Sequence, residues 1–535
     1  MNSRSFKRRV STVVLVVGAL VAGASTPVTS TAAVPAVREA SDKVVTADGL
    51  PTAQIDGVVW TQKVVGNTVF AGGEFENARP AGAAPGVNTV PRANLLAYNI
   101  KTGELTSFAP KMNGVVRTLA VSRDGKTLYA GGSFSKVNGK ARSHFAAFTV
   151  SSGKLTSLAP TFNSRVNAIT VATKTIYVGG WFTAANNKTR GRLAAFTLSG
   201  KLRSGWRPKA DDAVNALVMT PGLSRVIVGG SVSRISGTAV RGMGSVDAKT
   251  GRVKTWMINQ VVKDHGYRSG IFSLSADKDT IYGTGFGQQA GNFEGAFAAR
   301  PKDGKVVWLQ DCHGDQYGIA AAGSAVYSVG HAHYCANIGG FPESTPQRTL
   351  AVTKKAAGTV GKNGQVGKPN YTNFEGRPAP ALLTWFPKLT PGTYTGLTQA
   401  AWSIDTGSGY VVLGGEFDAV NGVPQQGLVR FTIPSRAPNA EGPAATTKLT
   451  PTARRTADGV SLRWTSNWDR DDNTLTYGVY RDGTLLTTLT GGSQYWNRPA
   501  LTYLDAEADA GTHSYRIQVS DKDGNRVWTP TVTVE

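Results

Sequence analysis

A short motif, Gly-Gly-x-Phe, recurs in this chain at one point of a repeating unit. Self-similarity at roughly 40–50 residues is typical of β-propeller blades. The repeat therefore predicts an all-β fold whose main part, residues 41–433, is a seven-bladed β-propeller. Four copies match the motif fully: Gly72-Gly73-Glu74-Phe75, Gly131-Gly132-Ser133-Phe134, Gly179-Gly180-Trp181-Phe182 and Gly414-Gly415-Glu416-Phe417. One copy is looser: Gly229-Gly230-Ser231-Val232. Two copies are degenerate: Gly283-Thr284-Gly285-Phe286 and Ser328-Val329-Gly330-His331.

The third unit shows the expected layout of a blade. Runs of β-forming residues separated by Gly, Asn and Ser turns predict four strands, at 166–171, 175–179, 192–198 and 201–206. The last unit, 400–433, has room for only three strands. We expect residues 43–45 to supply its fourth and so to close the ring. The sixth unit contains an insertion at 354–380, which we predict to be a long loop.

The N-terminus has the pattern of a secretory signal peptide. Arg4, Lys7, Arg8 and Arg9 precede an apolar run too short to span a membrane well. Candidate cleavage sites follow at 22–24 and 31–33, and we assign residues 1–33 to the signal peptide. No later apolar run predicts a transmembrane segment, so we expect a secreted protein, extracellular or associated with the cell wall.

Charge is distributed unevenly along the chain. Residues 34–433 carry 43 Lys and Arg against 23 Asp and Glu, a net charge of +20. Residues 434–535 carry 11 against 12, a net charge of −1. A strongly positive domain attracts polyanions, although a basic secreted protein can also owe its charge to solubility.

The C-terminal fifth resembles a fibronectin type III module. A Pro- and Ala-rich linker at 434–446 precedes it. The resemblance, over 447–535, rests on Val-Ser-Leu-Arg-Trp ending at Trp464, on Tyr-Gly-Val-Tyr-Arg-Asp-Gly from Tyr477, and on Tyr-Arg-Ile-Gln-Val from Tyr515. It implies a β-sandwich with Trp464 in its core and Tyr515 as the corner tyrosine, serving as a spacer or adhesion module.

The repeat part is similar to the Gly-Gly-x-Phe repeat propellers of secreted actinobacterial proteins. The similarity covers most of 59–433. It implies export and a propeller fold, and it implies little about biochemical function.

The two cysteines, Cys312 and Cys335, lie in the sixth unit. The start of a blade's first strand and the end of its second lie at the same end of the blade, because the two strands are antiparallel. Segments 311–315 and 331–335 occupy those two places. Outside the reducing cytosol we therefore expect Cys312 and Cys335 to form a disulfide.

Histidines and aspartates gather around these cysteines. Such a group can contact a ligand, bind a transition metal, supply acid and base groups to cleave a polysaccharide, or satisfy loop backbone around the disulfide. No catalytic residue, metal-ligand set or cofactor site can be assigned from the pattern. We take as candidate ligand-binding residues His265, Asp311, His313, Asp315, His331 and His333.

Tryptophans form two classes. Trp206, Trp256, Trp308 and Trp385 repeat with the blade period, which predicts packing between blades, whereas Trp60 and Trp181 depart from the repeat and are candidates for stacking on a sugar. The acidic run 469–473 lacks the Gly and closing Glu of a calcium loop, so we interpret it as a solvated turn.

These observations favour a secreted, non-enzymatic binding protein whose basic propeller binds an anionic polysaccharide or cell-wall polymer. The alternatives are an extracellular carbohydrate-active enzyme, a hydrolase or lyase, and a scaffold for protein partners. We expect a monomer without specific nucleic-acid binding.

Overall fold

A computed structural model describes residues 44–365, 371–445, 449–492 and 494–535. The described residues are all-β, and the repeat region is propeller-like. The expected signal peptide, 1–33, lies outside the described residues. In the described part of the chain, none of the helices is long and apolar enough to cross a membrane.

Each repeat folds into an antiparallel sheet, and these sheets are numbered here 1 to 7 in chain order. The strands of the first four are Val58–Val65, Thr68–Glu74 and Leu95–Asn99; Val116–Val121, Thr127–Gly132 and Phe145–Thr149; Val166–Ala172, Thr175–Gly180 and Leu193–Thr197; and Val214–Met219, Arg225–Gly230, Met243–Asp247 and Val253–Lys254. Those of the last three are Ser269–Ala276, Ile281–Gly287, Gly295–Ala299 and Val306–Gln310; Gln316–Ala322, Ala325–Ala332, Gln347–Thr353 and Leu382–Leu383; and Ala401–Gly407, Tyr410–Gly415 and Leu428–Thr432.

The first strands of neighbouring sheets pack against each other in order, and that of sheet 7 packs against that of sheet 1. All of these first strands line a common channel. The hydrophobic core lies between the sheets, as where Tyr177 of sheet 3 and Val228 of sheet 4 share one buried cluster. We refer to this arrangement as the sheet ring.

The described residues also form short strands and three 3-10 helices outside the seven sheets. The strands are Gln54–Ile55, Asn77–Arg79, Val90–Pro91, Lys136–Val137, Lys140–Ala141, Ala184–Ala185, Lys188–Thr189, Arg234–Ile235, Thr238–Ala239, Gly358–Thr359, Pro378–Ala379, Leu389–Thr390, Ala419–Val420 and Val423–Pro424, and the helices are Met257–Gln260, Ala336–Ile338 and Pro434–Arg436.

Two details of the ring differ from expectation. The fourth strand predicted at 201–206 is not formed, and a single bridge between Phe196 and Leu202 stands in its place. Residue 43 lies outside the described residues, and the segment that follows lies against the last strand of sheet 7 from Thr46 onward. Thr46 N–H donates to Thr432, and Leu50 N–H donates to Arg430. The segment therefore extends the edge of sheet 7 through isolated hydrogen bonds.

The periodic tryptophans are buried between sheets, as predicted. Trp206 donates its indole N–H to the carbonyl of Asp247 in sheet 4, and Trp308 donates to that of Lys354 beside sheet 6. Each indole thus links one sheet to the next.

The motif glycines leave room for two different neighbours. A Cβ on Gly72 would lie 2.5 Å from the side chain of Val116 on the next sheet. A Cβ on Gly73 would lie 1.9 Å from the carbonyl oxygen of Val58 on the paired strand. The first glycine therefore permits sheet-to-sheet packing and the second permits close strand pairing.

The strand register corrects our alignment of the degenerate copies by one position. Gly285 and Gly330 pair as Gly73 does, so they occupy the second glycine position. Phe286 and His331 consequently take the variable x position of the motif, not the Phe position.

The C-terminal part forms two further sheets around Trp464, Tyr477 and Tyr515. Tyr515 donates its hydroxyl to Asp505 at 2.8 Å. One sheet contains Thr452–Thr456, Gly459–Thr465 and Ala500–Asp505, and the other contains Thr474–Arg481, Thr484–Gly492, His513–Ser520, Arg526–Trp528 and Val532–Val534.

These C-terminal sheets pack against sheet 6. Tyr495 and Trp496 contact Phe341 and Phe386, with ring centroids 5.5–5.8 Å apart. The interpretation of 469–473 as a solvated turn is wrong. Asp469 is buried, and Asp471 accepts a hydrogen bond from the backbone N–H of Ala47.

Candidate ligand-binding face

The disulfide predicted in sheet 6 is present and fixes one end of that sheet. Cys312 and Cys335 are bonded and fully buried. Cys312 precedes the first strand and Cys335 follows the second, so the antiparallel pairing of these strands brings the cysteines to the same end. We call the group that surrounds them the clasped cluster: Asp311, His313, Asp315, His331 and His333.

His313 lies inside the clasped cluster and is closed off from solvent. Its ring stacks on Tyr371 at 3.9 Å and on Tyr334 at 4.9 Å. Its Nδ1 donates to Gln365 at 2.9 Å. A ring packed in this way contributes to the structure of the loop, and a polymer in solvent cannot reach it.

His331 belongs to a short hydrogen-bonded chain. Its Nε2 accepts from the backbone N–H of Asp315 at 3.3 Å, and its Nδ1 lies 3.1 Å from the hydroxyl of Tyr317. Tyr317 in turn donates to Asp315 at 3.5 Å. Burial lowers the pKa of His331 to about 4, and the charges of Arg348 and His333 act in the same direction. The ring is therefore neutral at physiological pH, with its proton on Nδ1.

His333 connects the cluster to the surface. Its Nδ1 lies 2.8 Å from Glu343, an exposed carboxylate, and its Nε2 lies 3.1 Å from the hydroxyl of Tyr371. Tyr371 also donates to Glu294 at 3.3 Å. Burial, followed by the charge of Glu294, raises the pKa of Tyr371.

The aspartates of the cluster are held by donors in a buried setting. Burial raises the pKa of Asp311 to about 7, although a hydrogen bond from Asn337 opposes the rise. Burial also raises the pKa of Asp315, against a hydrogen bond from the N–H of Gly287. Burial therefore favours the protonated form of both aspartates, and the amide donors offset only part of this effect.

His265 is not part of this cluster. Its ring is exposed and hydrogen-bonds the hydroxyl of Ser233. The neighbouring Asp264 is instead the buried residue of that loop, where it accepts from the N–H groups of Asn292 and Phe293. Of the six candidate residues, the structure therefore brings five together.

Across the described residues, no group of three or more His, Cys, Asp or Glu side chains has an arrangement that could hold a metal ion. The cluster as it stands can transfer a proton along His331, Tyr317 and Asp315. Of these three, Tyr317 lines the central channel.

A second feature of the same face is a ring of β-bulges. In each of sheets 1 to 7, the pairing of the first and second strands skips one residue at the same place. A bulge redirects the extra side chain, and here all of these side chains line the channel. We call these residues the bulge ring: Trp60, Arg117, Asn167, Asn215, Phe272, Tyr317 and Trp402.

The bulge ring has an aromatic side and a polar side. Trp402 lies 4.9 Å from Trp60 and 4.3 Å from Tyr317, and Phe272 lies 5.2 Å from Tyr317, between ring centroids. Arg117 lies 4.2 Å above the ring of Trp60 and begins the polar side.

Our sequence interpretation missed this ring, although a repeated signal marks it. The bulged residue stands before a small residue and, in six of the units, after Val, Ile or Ala, as in Val59-Trp60-Thr61 and Val214-Asn215-Ala216. We had noticed only Trp60, as an exception to the repeat. The position repeats and its side chain varies, which is the pattern of a common scaffold with a site built on it.

Bulge-ring residues line both the channel and a cavity at its mouth. The volume of the channel is about 250 Å³ along the first strands. A second cavity of about 300 Å³ lies at the mouth, lined by five bulge-ring residues together with Arg165 and Phe286.

Neither a protein-family model nor a curated protein matches the chain. Similar solved structures include the computationally designed Ika8 protein, with 12% identity, 72% of this chain and 99% of that chain covered, and a TM-score of 0.39. U3-55K matches with 10% identity, coverage of 71% and 99%, and a TM-score of 0.40. A chain of a mitotic checkpoint complex matches with 11% identity, coverage of 79% and 99%, and a TM-score of 0.43. These values are too low to transfer a function.

Proposed function

We propose that this chain is an exported, non-enzymatic binding protein that attaches to anionic extracellular polysaccharides or cell-wall polymers. In this proposal the sheet ring, 41–433, is a seven-bladed β-propeller and presents the binding surface. The segment 447–535 is a fibronectin type III-like sandwich that serves as a spacer, joined by the linker 434–446.

The observation that carries the proposal is the unbalanced charge of the sheet ring. Residues 34–433 have a net charge of +20, against −1 for the rest of the exported chain. Among the described residues of the ring, five Lys or Arg side chains form ion pairs with carboxylates: Lys63, Lys254, Lys278, Arg300 and Lys354. The other described Lys and Arg side chains of the ring form no ion pair with a carboxylate, and exposed ones such as Lys111, Lys136 and Lys140 are available to a polyanion.

The buried state of His313 favours binding over turnover. A general acid or base must reach the atom that it protonates or deprotonates, within about 3 Å or through one water. His313 is fully buried between tyrosines.

A salt titration tests the proposal. The protein is applied to immobilised polygalacturonate, to wall teichoic acid and to neutral dextran as the matched control, at about 0.1 M and about 1 M salt. The screening length falls from about 10 Å to about 3 Å over this range, so we expect binding to both polyanions to weaken at least tenfold. Dextran should bind at neither salt concentration.

Binding of dextran that salt leaves unchanged would contradict the proposal, as would absence of binding to either polyanion. Cleavage of a bound polymer would favour the carbohydrate-active enzyme instead.

A further inference from the structure

The mouth of the channel contains two arginines without carboxylate partners. Among the described residues, neither Arg117 nor Arg165 has a hydrogen bond or an ion pair to a carboxylate, and both are half-buried. The Nε atom of Arg165 is buried and unbonded. A desolvated guanidinium without acceptors is unfavourable unless a ligand supplies them.

The two arginines also line the same cavity at the mouth. Burial lowers the pKa of Arg117, and the charge of Arg165 lowers it further, while Glu74 opposes the shift without reaching ion-pair distance. Like charges held together at a cavity create a local positive potential. An anion at this place would relieve the repulsion and satisfy both forks of donors.

Aromatic rings hold each arginine in position. Arg117 lies 4.2 Å above Trp60, and Arg165 lies 4.4 Å above Trp181. Stacking of this kind restricts the long side chain and keeps its donors directed at the cavity. Trp181 is 46% exposed, so its ring lies at the surface beside Arg165.

The remaining walls suit a sugar ring. Phe272 and Phe286 give the mouth cavity an apolar surface, on which the C–H face of a pyranose can lie. Asn167 donates a side-chain amide hydrogen bond to the backbone carbonyl of Val214, and Asn215 donates one to that of Ile271. Their side-chain carbonyls remain as acceptors for hydroxyl groups. The cavity volume of about 300 Å³ is at the small end for ligand sites and fits one sugar residue.

We propose that the mouth of the channel binds a single anionic sugar residue, with its carboxylate or phosphate between Arg117 and Arg165 and its ring against the aromatic wall. The residue is either a free sugar or one unit of a polymer. This inference deepens the polymer-binding proposal and rests on it for the choice of a sugar as the anion.

Direct titration of the whole protein tests this site. Glucuronate, glucose 6-phosphate and neutral glucose are titrated by calorimetry, with tryptophan fluorescence as a second signal. We expect one of the two anions, or both, to bind with 1:1 stoichiometry and glucose to bind at least about tenfold more weakly, because the charge-assisted hydrogen bonds are lost. Oligouronides that bind more tightly than glucuronate would identify a polymer unit as the natural form.

The variants Arg117→Met and Arg165→Met should each weaken anion binding at least about tenfold. The matched control is Arg123→Met, because Arg123 is exposed and lies in the turn at the opposite end of sheet 2. It removes the same charge and should leave anion affinity unchanged. Trp181→Ala is a second test that does not disturb the core, and it should weaken binding severalfold because Arg165 loses its support.

Equal anion affinity in the wild type and the three mouth variants would overturn the inference, as would glucose binding as tightly as glucuronate. Absence of binding by every probe would overturn it too. The polymer-binding proposal is tested separately. If the mouth variants still adhere to polyanions in a salt-sensitive way and no small anion binds, the polymer-binding proposal holds and the mouth site is wrong.

Discussion

Two regions at one end of the sheet ring differ in whether their charged and polar side chains have partners. In the clasped cluster, Asp311 and Asp315 accept amide hydrogen bonds, and His331 is kept neutral. At the mouth, Arg117 and Arg165 line one cavity without a carboxylate partner in the described residues. Buried polar groups that satisfy one another stabilise a particular fold, whereas unmatched charge at a cavity marks a place for a ligand. By this criterion the missing partners of the arginines point to the mouth, whereas the density of histidine and aspartate points to the clasped cluster.

The sharpest way to separate the two regions is to open the disulfide. Cys312→Ser combined with Cys335→Ser should lower the free energy of unfolding by about 3 kcal/mol, because the unfolded chain regains the freedom of the closed loop. Denaturant unfolding of the wild type and the double variant measures this loss. Anion affinity at the mouth should remain within about twofold, since the buried cluster around the disulfide contains none of the described mouth residues.

The reduced wild type is the matched control for that experiment, because it lacks the bond but keeps both sulfur atoms. It should unfold at the same denaturant concentration as the double variant. A parallel loss of anion binding would show that the mouth depends on the clasped cluster and would end the separation.

The pH dependence of stability gives the next largest effect. The pKa of His331 is lowered to about 4 by burial, whereas an unfolded histidine titrates near 6.5. Between these values the unfolded chain binds more protons, so His331 makes stability decrease as the pH falls from about 6.5 to about 4, by at most about 3 kcal/mol. Above pH 6.5 the ring is neutral in both the folded and the unfolded chain, so His331 no longer makes stability depend on pH.

The raised pKa values of Asp311, Asp315 and Asp264 act with the opposite sign, because the folded state holds those protons more tightly. The difference in unfolding free energy between the wild type and His331→Gln, measured across this pH range, isolates the contribution of the histidine. The variant should lose less stability on acidification, and the His331 proton resonance of the wild type should titrate near pH 4. A midpoint near 6.5 would show that the ring is solvated.

More of the fold than of the candidate site could be predicted from the sequence. The Gly-Gly-x-Phe repeat located every second strand of the ring, because glycine is required where a Val side chain and a backbone carbonyl approach so closely. Antiparallel pairing then placed Cys312 and Cys335 correctly. The bulges escaped prediction, since which residue a strand skips depends on the pairing of two strands and on packing between sheets.

The side chains around His265 and Asp264 show why local sequence was insufficient for the site. These neighbours differ completely in burial, and only Asp264 faces inward. Our interpretation selected the histidine for its chemistry. The fold instead buried the aspartate, because the loop turns its carboxylate toward the N–H groups of Asn292 and Phe293.

Tyr317 belongs to the bulge ring and also contacts His331 and Asp315 of the clasped cluster, and its substitution gives the smallest and most discriminating effect. Tyr317→Phe keeps the ring beside Trp402 but removes the hydroxyl that contacts His331. We expect a loss of about 1 kcal/mol in the free energy of unfolding and a shifted titration of His331, with anion affinity nearly unchanged. The matched control is Trp402→Phe at the same bulge position of sheet 7, which loses the hydrogen bond to Glu416 instead and should leave the His331 titration in place. If Tyr317→Phe weakens anion binding as much as Arg117→Met does, the hydroxyl chain and the mouth form one site. The proton on His331 would then be coupled to the ligand, because Tyr317 is the shared contact.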